Sequence, residues 1–350
     1  MTRLLIIGTG SMAGAHAANF KKIKGVKLVA TVETNAERRA KFAETHGIAN
    51  AFADLDEAIR WDEFDAAANV TPDAVHHPTT MKLLAAGKHV FCEKPLATSY
   101  PLARQMADTA EKRGLINMVN LSYRASPALH KARELATSGA LGTVRHFEAE
   151  YLQSWLVGKH WGDWHDDDRW LWRLSKDHGS KGVVGDIGIH IIDFATFAAG
   201  SDIATMAPMV KTFHKAPRDK IGKYKLDAND TFVMGAELQN GALGTIQASR
   251  FTTGYANELY VTLYGDKGAV KIHTDGKKSS LEACLGDDID TLKWRPMKCP
   301  PVPTTYQRFA TAVATGKNGD PDFRRAANLQ KVLDALLKAG ESGKGLVKLK

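Results

Sequence analysis

The chain has 350 residues, of which 44% are hydrophobic and 25% are charged, and its formal net charge is +8. This is the composition of an ordinary globular protein, and the length predicts about two domains. The chain has no apolar run near the ~20 residues of a transmembrane helix, and its basic residues are scattered. We therefore expect neither a membrane nor a nucleic-acid partner.

The first 122 residues alternate between short apolar runs and helical segments. The run RLLIIG at 3–8 leads directly into a glycine turn, which predicts a first strand, not a signal peptide, and hence a cytoplasmic protein. Further strands are predicted over 26–33, 64–72, 89–95 and 115–120, with helices over 15–23, 35–47, 75–88 and 99–114. This alternation is typical of βαβ units, so we expect a doubly wound parallel sheet, a Rossmann domain, in residues 1–122.

From residue 123 onward the pattern changes. A helix over 126–139 precedes a strand over 143–152, and a tryptophan-rich loop follows. Alternating stretches are then predicted to form strands, at 231–238, 244–251, 257–265 and 269–274. The turn residues Asn240-Gly241 between two of them suit antiparallel pairing. We therefore predict a second, α+β domain over 123–350 with a mostly antiparallel open sheet.

A dinucleotide site is predicted at the end of the first strand. Gly8 and Gly10 allow a tight turn and a close backbone approach to a pyrophosphate, and Ala13 allows close packing of helix on strand. Ser11 and Met12 open the helix whose amides would face the phosphates. Glu33 ends the second strand 25 residues after Gly8, where a carboxylate binds the ribose hydroxyls and disfavours a 2′-phosphate. NAD is the predicted cofactor; the nearby Arg38 and Arg39 keep NADP open.

Two further segments carry reactive side chains. Lys94, in CEKP, follows a predicted parallel strand, at the edge of the sheet where ligands bind. In GVVGDIGIHIID at 182–193, Asp186 and His190 lie four residues apart and would share one face of an α-helix. That segment taken alone fits either a capped helix with a buried core histidine or a catalytic pair.

Four stretches in order resemble the Gfo/Idh/MocA family of nicotinamide-dependent oxidoreductases. They are GTGSMA (8–13), TPDAVHHPTTMKLLAAGKHVFCEKPLA (71–97), NLSYRASPA (120–128) and WLWRLSKDHGSKGVVGDIGIHIID (170–193). The resemblance covers the whole chain. It implies a Rossmann domain followed by a substrate-binding domain whose open sheet mediates oligomerisation, so a homodimer or homotetramer is expected.

The same resemblance implies roles for individual residues. Lys94 would hydrogen-bond the reacting oxygen, His190 would be the acid/base, and Asp186 would bind substrate or tune that histidine. Arg124 would face the substrate, and Asp193 is predicted to be structural. Implied cofactor contacts are Thr71, Pro72, His76, Glu93 and Lys94.

The tryptophans indicate the substrate class. Five of the seven lie between 155 and 172, in a loop with Asp, His and Arg residues. The flat faces of indole rings suit a polyhydroxylated ring, although the tryptophans could nearly as well fill a domain or subunit interface. By resemblance to sugar and glycoside dehydrogenases of the family, Gln153 and Trp164 are candidate substrate contacts. The acidic run at 160–168 and the three cysteines, which have no CxxC or CxxH spacing, predict no metal site.

These features together predict NAD-dependent oxidation of a secondary hydroxyl on a carbohydrate-like small molecule. The expected substrate is a sugar, anhydrosugar, glycoside or inositol, or a keto-sugar in the reverse direction. Two alternatives stay open. One is an NAD-using glycosidase that oxidises its substrate transiently, and the other is a non-enzymatic regulator that senses dinucleotide.

Overall fold

The computed structural model describes residues 1–343 and 345–349, which divide into two compact units. The first unit comprises Met1–Ser122 and Pro303–Lys331, and the second comprises Tyr123–Val302 and Val332–Lys350. The boundary after residue 122 is also that of the predicted domains, but the segment 303–331 packs with the first unit.

The helices and strands follow each other in the order expected for an α/β unit and an α+β unit. In the chain up to residue 122 they are β1 (Thr2–Ile7), α1 (Ser11–Lys21), β2 (Val26–Val32), α2 (Ala36–His46), β3 (Asn50–Phe52), α3 (Leu55–Trp61), β4 (Ala66–Asn69), α4 (Asp73–Ala85), β5 (His89–Cys92), α5 (Tyr100–Lys112) and β6 (Asn117–Val119). The next are α6 (Pro127–Thr137), β7 (Val144–Leu152), α7 (Asp168–Leu171), α8 (Ile189–Ala199), β8 (Ile203–Lys211), β9 (Lys220–Ile221), β10 (Tyr224–Lys225), β11 (Thr231–Leu238), β12 (Leu243–Ser249), β13 (Glu258–Gly265), β14 (Gly268–Thr274) and β15 (Ser279–Leu285). The chain closes with α9 (Asp288–Thr291), β16 (Arg295–Pro296), α10 (Thr305–Thr315), α11 (Phe323–Ser342) and β17 (Val347–Lys348).

The first unit is built on a parallel sheet. Within the described residues it has six strands in the order β3-β2-β1-β4-β5-β6, which is the order of a Rossmann fold. Leu4, Leu5 and Ile6 of β1 are all buried, because helices cover both faces of such a sheet. The prediction of a Rossmann domain is confirmed.

The late segment joins this unit through aromatic packing. Tyr306 and Phe309 of α10 place their ring centroids 5.1 Å and 6.3 Å from that of Phe20 on α1. The same two rings also contact Phe91 of β5. Local sequence patterns do not predict such contacts, because they join side chains more than 200 positions apart. The predicted second domain therefore includes this segment.

The second unit is built on an open mixed sheet. In the described residues its nine strands run in the order β16-β15-β14-β13-β7-β12-β11-β8-β17. β7 and β12 pair in parallel, and the other neighbouring pairs are antiparallel. Buried and exposed residues alternate along β11, so the sheet has one covered face, where α8 packs on β7, β12 and β13. The predicted α+β unit is confirmed.

The segment before α8 departs from the predicted helix. Val184–Gly188 forms a π-helical turn, and the α-helix α8 follows it over Ile189–Ala199. Nothing among the helices that the structure describes is long and apolar enough to cross a membrane.

Candidate active site

The carboxyl edge of the parallel sheet gathers most of the predicted residues of the first unit. Glu33 follows β2, Gly8 follows β1, Thr71 lies two residues beyond β4, and Lys94 lies two residues beyond β5. Parallel strands end at one edge, and ligands of such sheets bind there, near the point where strand order reverses. In this sheet that point lies between β1 and β4.

The glycine turn after β1 is shaped for a close approach. Gly8 has φ +83°, and a Cβ there would lie 2.8 Å from the carbonyl oxygen of Val70. A Cβ on Gly10 would meet nothing within 4 Å, so the space beside this backbone is open. α1 begins at Ser11, with Met12 exposed and Ala13 fully buried. The open turn and the amides of the helix N-terminus fit a pyrophosphate.

Glu33 is held as a carboxylate. Its Oε2 accepts hydrogen bonds from the Thr9 amide at 3.1 Å and the Thr9 hydroxyl at 2.9 Å. Its Oε1 accepts from the Asn35 amide at 3.0 Å and from Arg38 at 2.9 Å. Burial alone would raise the pKa of Glu33, but the hydrogen bonds from Asn35, Arg38 and Thr9 outweigh it and hold the pKa at about 2. A fixed charge at this position fits the ribose hydroxyls of NAD.

His76 ties two loops of this edge together. Its ring is fully buried, and its nitrogens lie 2.8 Å from the carbonyl oxygens of Thr71 and of Pro95. The peptide bond between Lys94 and Pro95 is cis. Thr71 is also held by the side chain of Asn69. The ring of His76 therefore positions the turn at Thr71 and Pro72, and its direct contact with the cofactor stays a prediction.

Glu93 is a buried carboxylate next to Lys94. It accepts hydrogen bonds from His16 Nε2 at 2.7 Å, from Asn120 Nδ2 at 2.7 Å and from the Lys94 amide at 3.1 Å. Burial would raise the pKa of Glu93, but the bonds from His16 and Asn120, together with the Lys94 charge, hold it at about 2. These hydrogen bonds hold the Glu93 side chain inside the first unit. The sequence does not predict a role for His16, because its only local feature is a position on the buried face of α1.

In the second unit, Asp186 is bound by arginines. Arg250 Nη2 donates to Asp186 Oδ2 at 2.9 Å, and Arg173 Nε lies 3.9 Å from the same oxygen. Asp186 belongs to the π turn and His190 to α8, so the four-residue spacing of a continuous α-helix does not apply between them. The sequence does not predict the contact with Arg250, because Arg250 is 64 positions from Asp186.

His190 lies against a network of phenols and amides. Its ring packs edge-on against Tyr123 at 5.0 Å between centroids, and Tyr151 is 6.5 Å away. The Tyr123 and Tyr151 hydroxyls are 2.6 Å apart, and Tyr151 donates to Asn257 at 2.7 Å. Burial raises the pKa of both phenols, so they stay neutral. Gln153 donates to Asn257 at 2.9 Å and is therefore part of this network.

Arg124 braces α8 from inside the unit. Its side chain is 1% exposed, and its Nε and Nη2 donate to the two oxygens of Asp193 at 2.6 Å and 2.7 Å. Its guanidinium also lies 3.6 Å from the centre of the Phe197 ring. Arg124 therefore braces α8 through Asp193, and its contact with the substrate stays a prediction. Asp193, which is predicted to be structural, is the buried partner of Arg124 in this ion pair.

We expect Arg124→Lys to lower the free energy of unfolding by about 2 kcal/mol, because a lysine cannot make the bidentate contact with Asp193. Urea denaturation followed by circular dichroism measures this loss. Arg145→Lys is the control, since Arg145 is exposed and its contact with Asp266 is long at 3.4 Å. Equal losses in the two variants would contradict the brace.

The tryptophans of the loop pack mainly on one another. Trp155 and Trp164 are buried, and the Trp164 indole donates to the Leu156 carbonyl oxygen at 3.2 Å. Trp170 stacks on Trp161 with ring planes 9° apart and centroids separated by 5.8 Å. Trp172 is 37% exposed. Trp155 and Trp164 therefore pack inside the second unit, and a substrate contact of Trp164 stays a prediction.

The acidic run at 160–168 makes local ion pairs. Asp163 contacts Lys159 at 2.6 Å and His165 at 2.7 Å. Among the residues with described positions, no group of three His, Cys, Asp or Glu side chains could hold a metal ion.

The chain belongs to the Gfo/Idh/MocA family of oxidoreductases. The family model described as "Oxidoreductase family, NAD-binding Rossmann fold" matches residues 2–121, and that of the GFO/IDH/MocA C-terminal domain matches residues 129–271. The two matches together span most of the chain, so the resemblance stated from the motifs is confirmed. The protein is thus an NAD-binding oxidoreductase.

Relatives named as sugar and inositol dehydrogenases are similar over most of the chain. Levoglucosan dehydrogenase of Pseudarthrobacter phenanthrenivorans is 26% identical over 313 residues, which is 83% of this chain and 78% of the relative. An NADP⁺-dependent scyllo-inositol 2-dehydrogenase of Bacillus subtilis is 25% identical and covers 95% of each chain. An oxidoreductase domain protein from Kribbella flavida matches with a TM-score of 0.88 and 29% identity over the whole of both chains.

Proposed function

We propose that this protein oxidises a secondary hydroxyl of a sugar, anhydrosugar, glycoside or inositol with NAD⁺, or runs the reverse reduction. The observation that carries the proposal is the arrangement of residues along one sheet edge. Glu33, the glycine turn and Lys94 follow the ends of β2, β1 and β5, so a carboxylate, a glycine turn and an amine lie in that order along the edge. Relatives whose names give sugar or inositol substrates support the substrate class.

The residues of the first unit fit the cofactor. The turn at Gly8 and Gly10 and the N-terminus of α1 would hold the pyrophosphate, and Glu33 would accept hydrogen bonds from the ribose. When bound, NAD⁺ supplies the acceptor for a hydride. Lys94 would donate a hydrogen bond to the substrate oxygen and stabilise the negative charge that develops there.

The residues of the second unit would handle the proton. In the oxidation, His190 takes the hydroxyl proton, as imidazole suits proton transfer near neutral pH. Asp186, which is 30% exposed and fixed by Arg250, would accept a hydrogen bond from a neighbouring substrate hydroxyl. The exposed indole of Trp172 offers a face for the C–H side of a sugar ring.

A screen of NAD⁺ reduction tests the proposal. Purified protein is mixed with NAD⁺ and levoglucosan, a methyl glucoside, glucose 6-phosphate or an inositol, and NADH is followed by absorbance with analysis of the product. We expect NADH with at least one compound, formed about 10²–10³-fold more slowly by the Lys94→Met variant. Release of aglycone from a glycoside without net NADH, or no reaction with any compound, would overturn the dehydrogenase proposal.

We expect Glu33→Ala to raise the NADP⁺ to NAD⁺ ratio of kcat/KM by about 10-fold or more, equivalent to ~1.4 kcal/mol. Removal of the carboxylate ends its repulsion of a 2′-phosphate and frees Arg38, which bonds Glu33 at 2.9 Å, to pair with that phosphate. Steady-state kinetics with both cofactors measure the ratio. Glu37→Ala is the control. It removes an exposed carboxylate from α2, the helix that carries Arg38, and should leave the ratio unchanged. An unchanged ratio in Glu33→Ala would remove the assignment.

The open sheet of the second unit is proposed as the oligomer interface of a cytoplasmic homodimer or homotetramer. Met209 and Val233, on neighbouring strands, are 76% and 40% exposed, and Leu243 at the start of β12 is 61% exposed. Light scattering coupled to size exclusion measures the mass, and a monomer at micromolar concentration would contradict the proposal.

A further inference from the structure

A buried hydrogen-bond network converges on the residue that precedes Lys94. Glu93 is 8% exposed, and its carboxylate is bonded by side chains from α1 and from the end of β6. The carboxylate also accepts the amide of Lys94 itself at 3.1 Å. The negative charge of Glu93 is therefore fixed in position immediately next to the lysine.

His16 reaches this carboxylate from the helix that begins at the glycine turn. Its side chain is fully buried between the rings of Phe91 and Tyr306, at centroid distances of 5.6 Å and 5.2 Å. Because Glu93 is ionised, His16 Nε2 must carry the proton of their 2.7 Å hydrogen bond. His16 Nδ1 has no hydrogen-bond partner among the described residues, so Glu93 fixes this ring through Nε2 alone.

Asn120 holds the carboxylate from the other side. Its Nδ2 donates to Glu93 at 2.7 Å, and its Oδ1 accepts from the Thr305 hydroxyl at 2.8 Å. The ionised Glu93 carboxylate can only accept, so the amide nitrogen of Asn120 must face it, and the amide oxygen faces the Thr305 hydroxyl. The Tyr306 hydroxyl lies 3.2 Å from the same Nδ2. α10 therefore fixes the orientation of Asn120.

We propose that His16 and Asn120 are positioning residues for Lys94, acting through the carboxylate of Glu93. The inference rests on the proposed function, in which Lys94 contacts the reacting oxygen. The fixed charge of Glu93 attracts the Lys94 ammonium and limits the positions that the ammonium can take. Loss of either donor leaves a buried carboxylate undersatisfied, so it moves or takes up a proton.

The kinetic test compares two replacements of His16. His16→Leu has similar volume and no donor, whereas His16→Gln keeps an N–H that can reach Glu93. We expect His16→Leu to lower kcat by between about 10- and 100-fold and to leave the KM for NAD⁺ nearly unchanged, because the lost interaction acts only at the reacting oxygen. His16→Gln should restore most of kcat. Thr31→Val is the matched control, because it removes another buried hydrogen bond of this unit, to the Ile6 carbonyl oxygen at 3.2 Å.

A second measurement uses no substrate. The apoprotein is treated briefly with acetic anhydride, and modification of Lys94 is quantified by mass spectrometry relative to the exposed Lys82. We expect His16→Leu and Glu93→Gln to raise the relative modification of Lys94 severalfold, since the Lys94 side chain is then no longer held beside a fixed charge. Such a rise in a protein that oxidises no carbohydrate would retain the positioning inference and reject the proposed function. If His16→Leu matches Thr31→Val in both kcat and the labelling, the inference is overturned.

Discussion

Replacing Lys94 by methionine is expected to lower kcat by about 10²–10³-fold, the usual effect of removing one donor to a developing oxyanion. Methionine keeps an unbranched side chain of similar length, so packing beside Pro95 should change little. The loss arises because the substrate oxygen gains negative charge as the C–H bond breaks, and methionine cannot donate to it. Initial rates at saturating NAD⁺ measure the effect, and NADH fluorescence measures cofactor binding.

Binding of NADH should be nearly unchanged in Lys94→Met, because the groups that fit the pyrophosphate and the ribose follow β1 and β2, whereas Lys94 follows β5. Lys82→Met is the control, as Lys82 is exposed and pairs with Asp56. A kcat close to that of the control would show that Lys94 is a strand-end lysine without a catalytic role.

Replacing His190 by glutamine is expected to lower kcat by about 10²–10⁴-fold, the usual contribution of a general base. Glutamine fills much of the space against Tyr123 but cannot accept the hydroxyl proton. The sign of the pH effect follows from the direction of the reaction. Oxidation needs the unprotonated imidazole, so the wild-type rate should fall as acid protonates His190. The profile of the variant should be flat over that region, as measured by kcat/KM against pH.

His130→Gln serves as the matched control in the same unit. His130 is a partly buried histidine of α6 that bonds the Arg124 carbonyl oxygen at 2.8 Å, and it packs on Phe197. This variant should lose some stability and keep the acid limb of the profile. If His190→Gln also keeps the acid limb at near-normal kcat, another group is the base and His190 is a core histidine.

The sequence was sufficient to predict the parallel sheet and its ligand edge. The spacing of Gly8, Gly10 and Ala13 after an apolar strand is a local pattern that predicts a tight turn into a helix. The turn requires glycine at position 8, since a Cβ there would collide with Val70. Glu33 and Lys94 could be placed because the ends of parallel strands share an edge. Such inferences need only the order of strands along the chain.

Contacts between distant segments could not be predicted in this way. Arg124 is a charged residue in a motif near the predicted domain junction, and nothing local shows that Asp193 lies 2.6 Å from its guanidinium. Asp186 and His190 were placed on one face by assuming a continuous α-helix. The π turn that interrupts it is held by Asn229, whose Oδ1 accepts the Val184 amide at 3.0 Å. Asn229 lies 45 positions away, beyond any helical period.

The return of residues 303–331 to the first unit bears on how the protein is made. β6 is the edge strand of the parallel sheet, and its Val119 amide donates to the Pro321 carbonyl oxygen. Asn117 of the same strand bonds Asn318, 201 residues later. During synthesis, the parallel sheet therefore cannot be completed until nearly the whole chain has left the ribosome. Until then the edge of β6 is unpaired and the contacts of Phe20 and Phe91 with α10 are not made. A fragment ending at residue 122 would keep that exposed edge permanently, so it is a poor choice for separate expression.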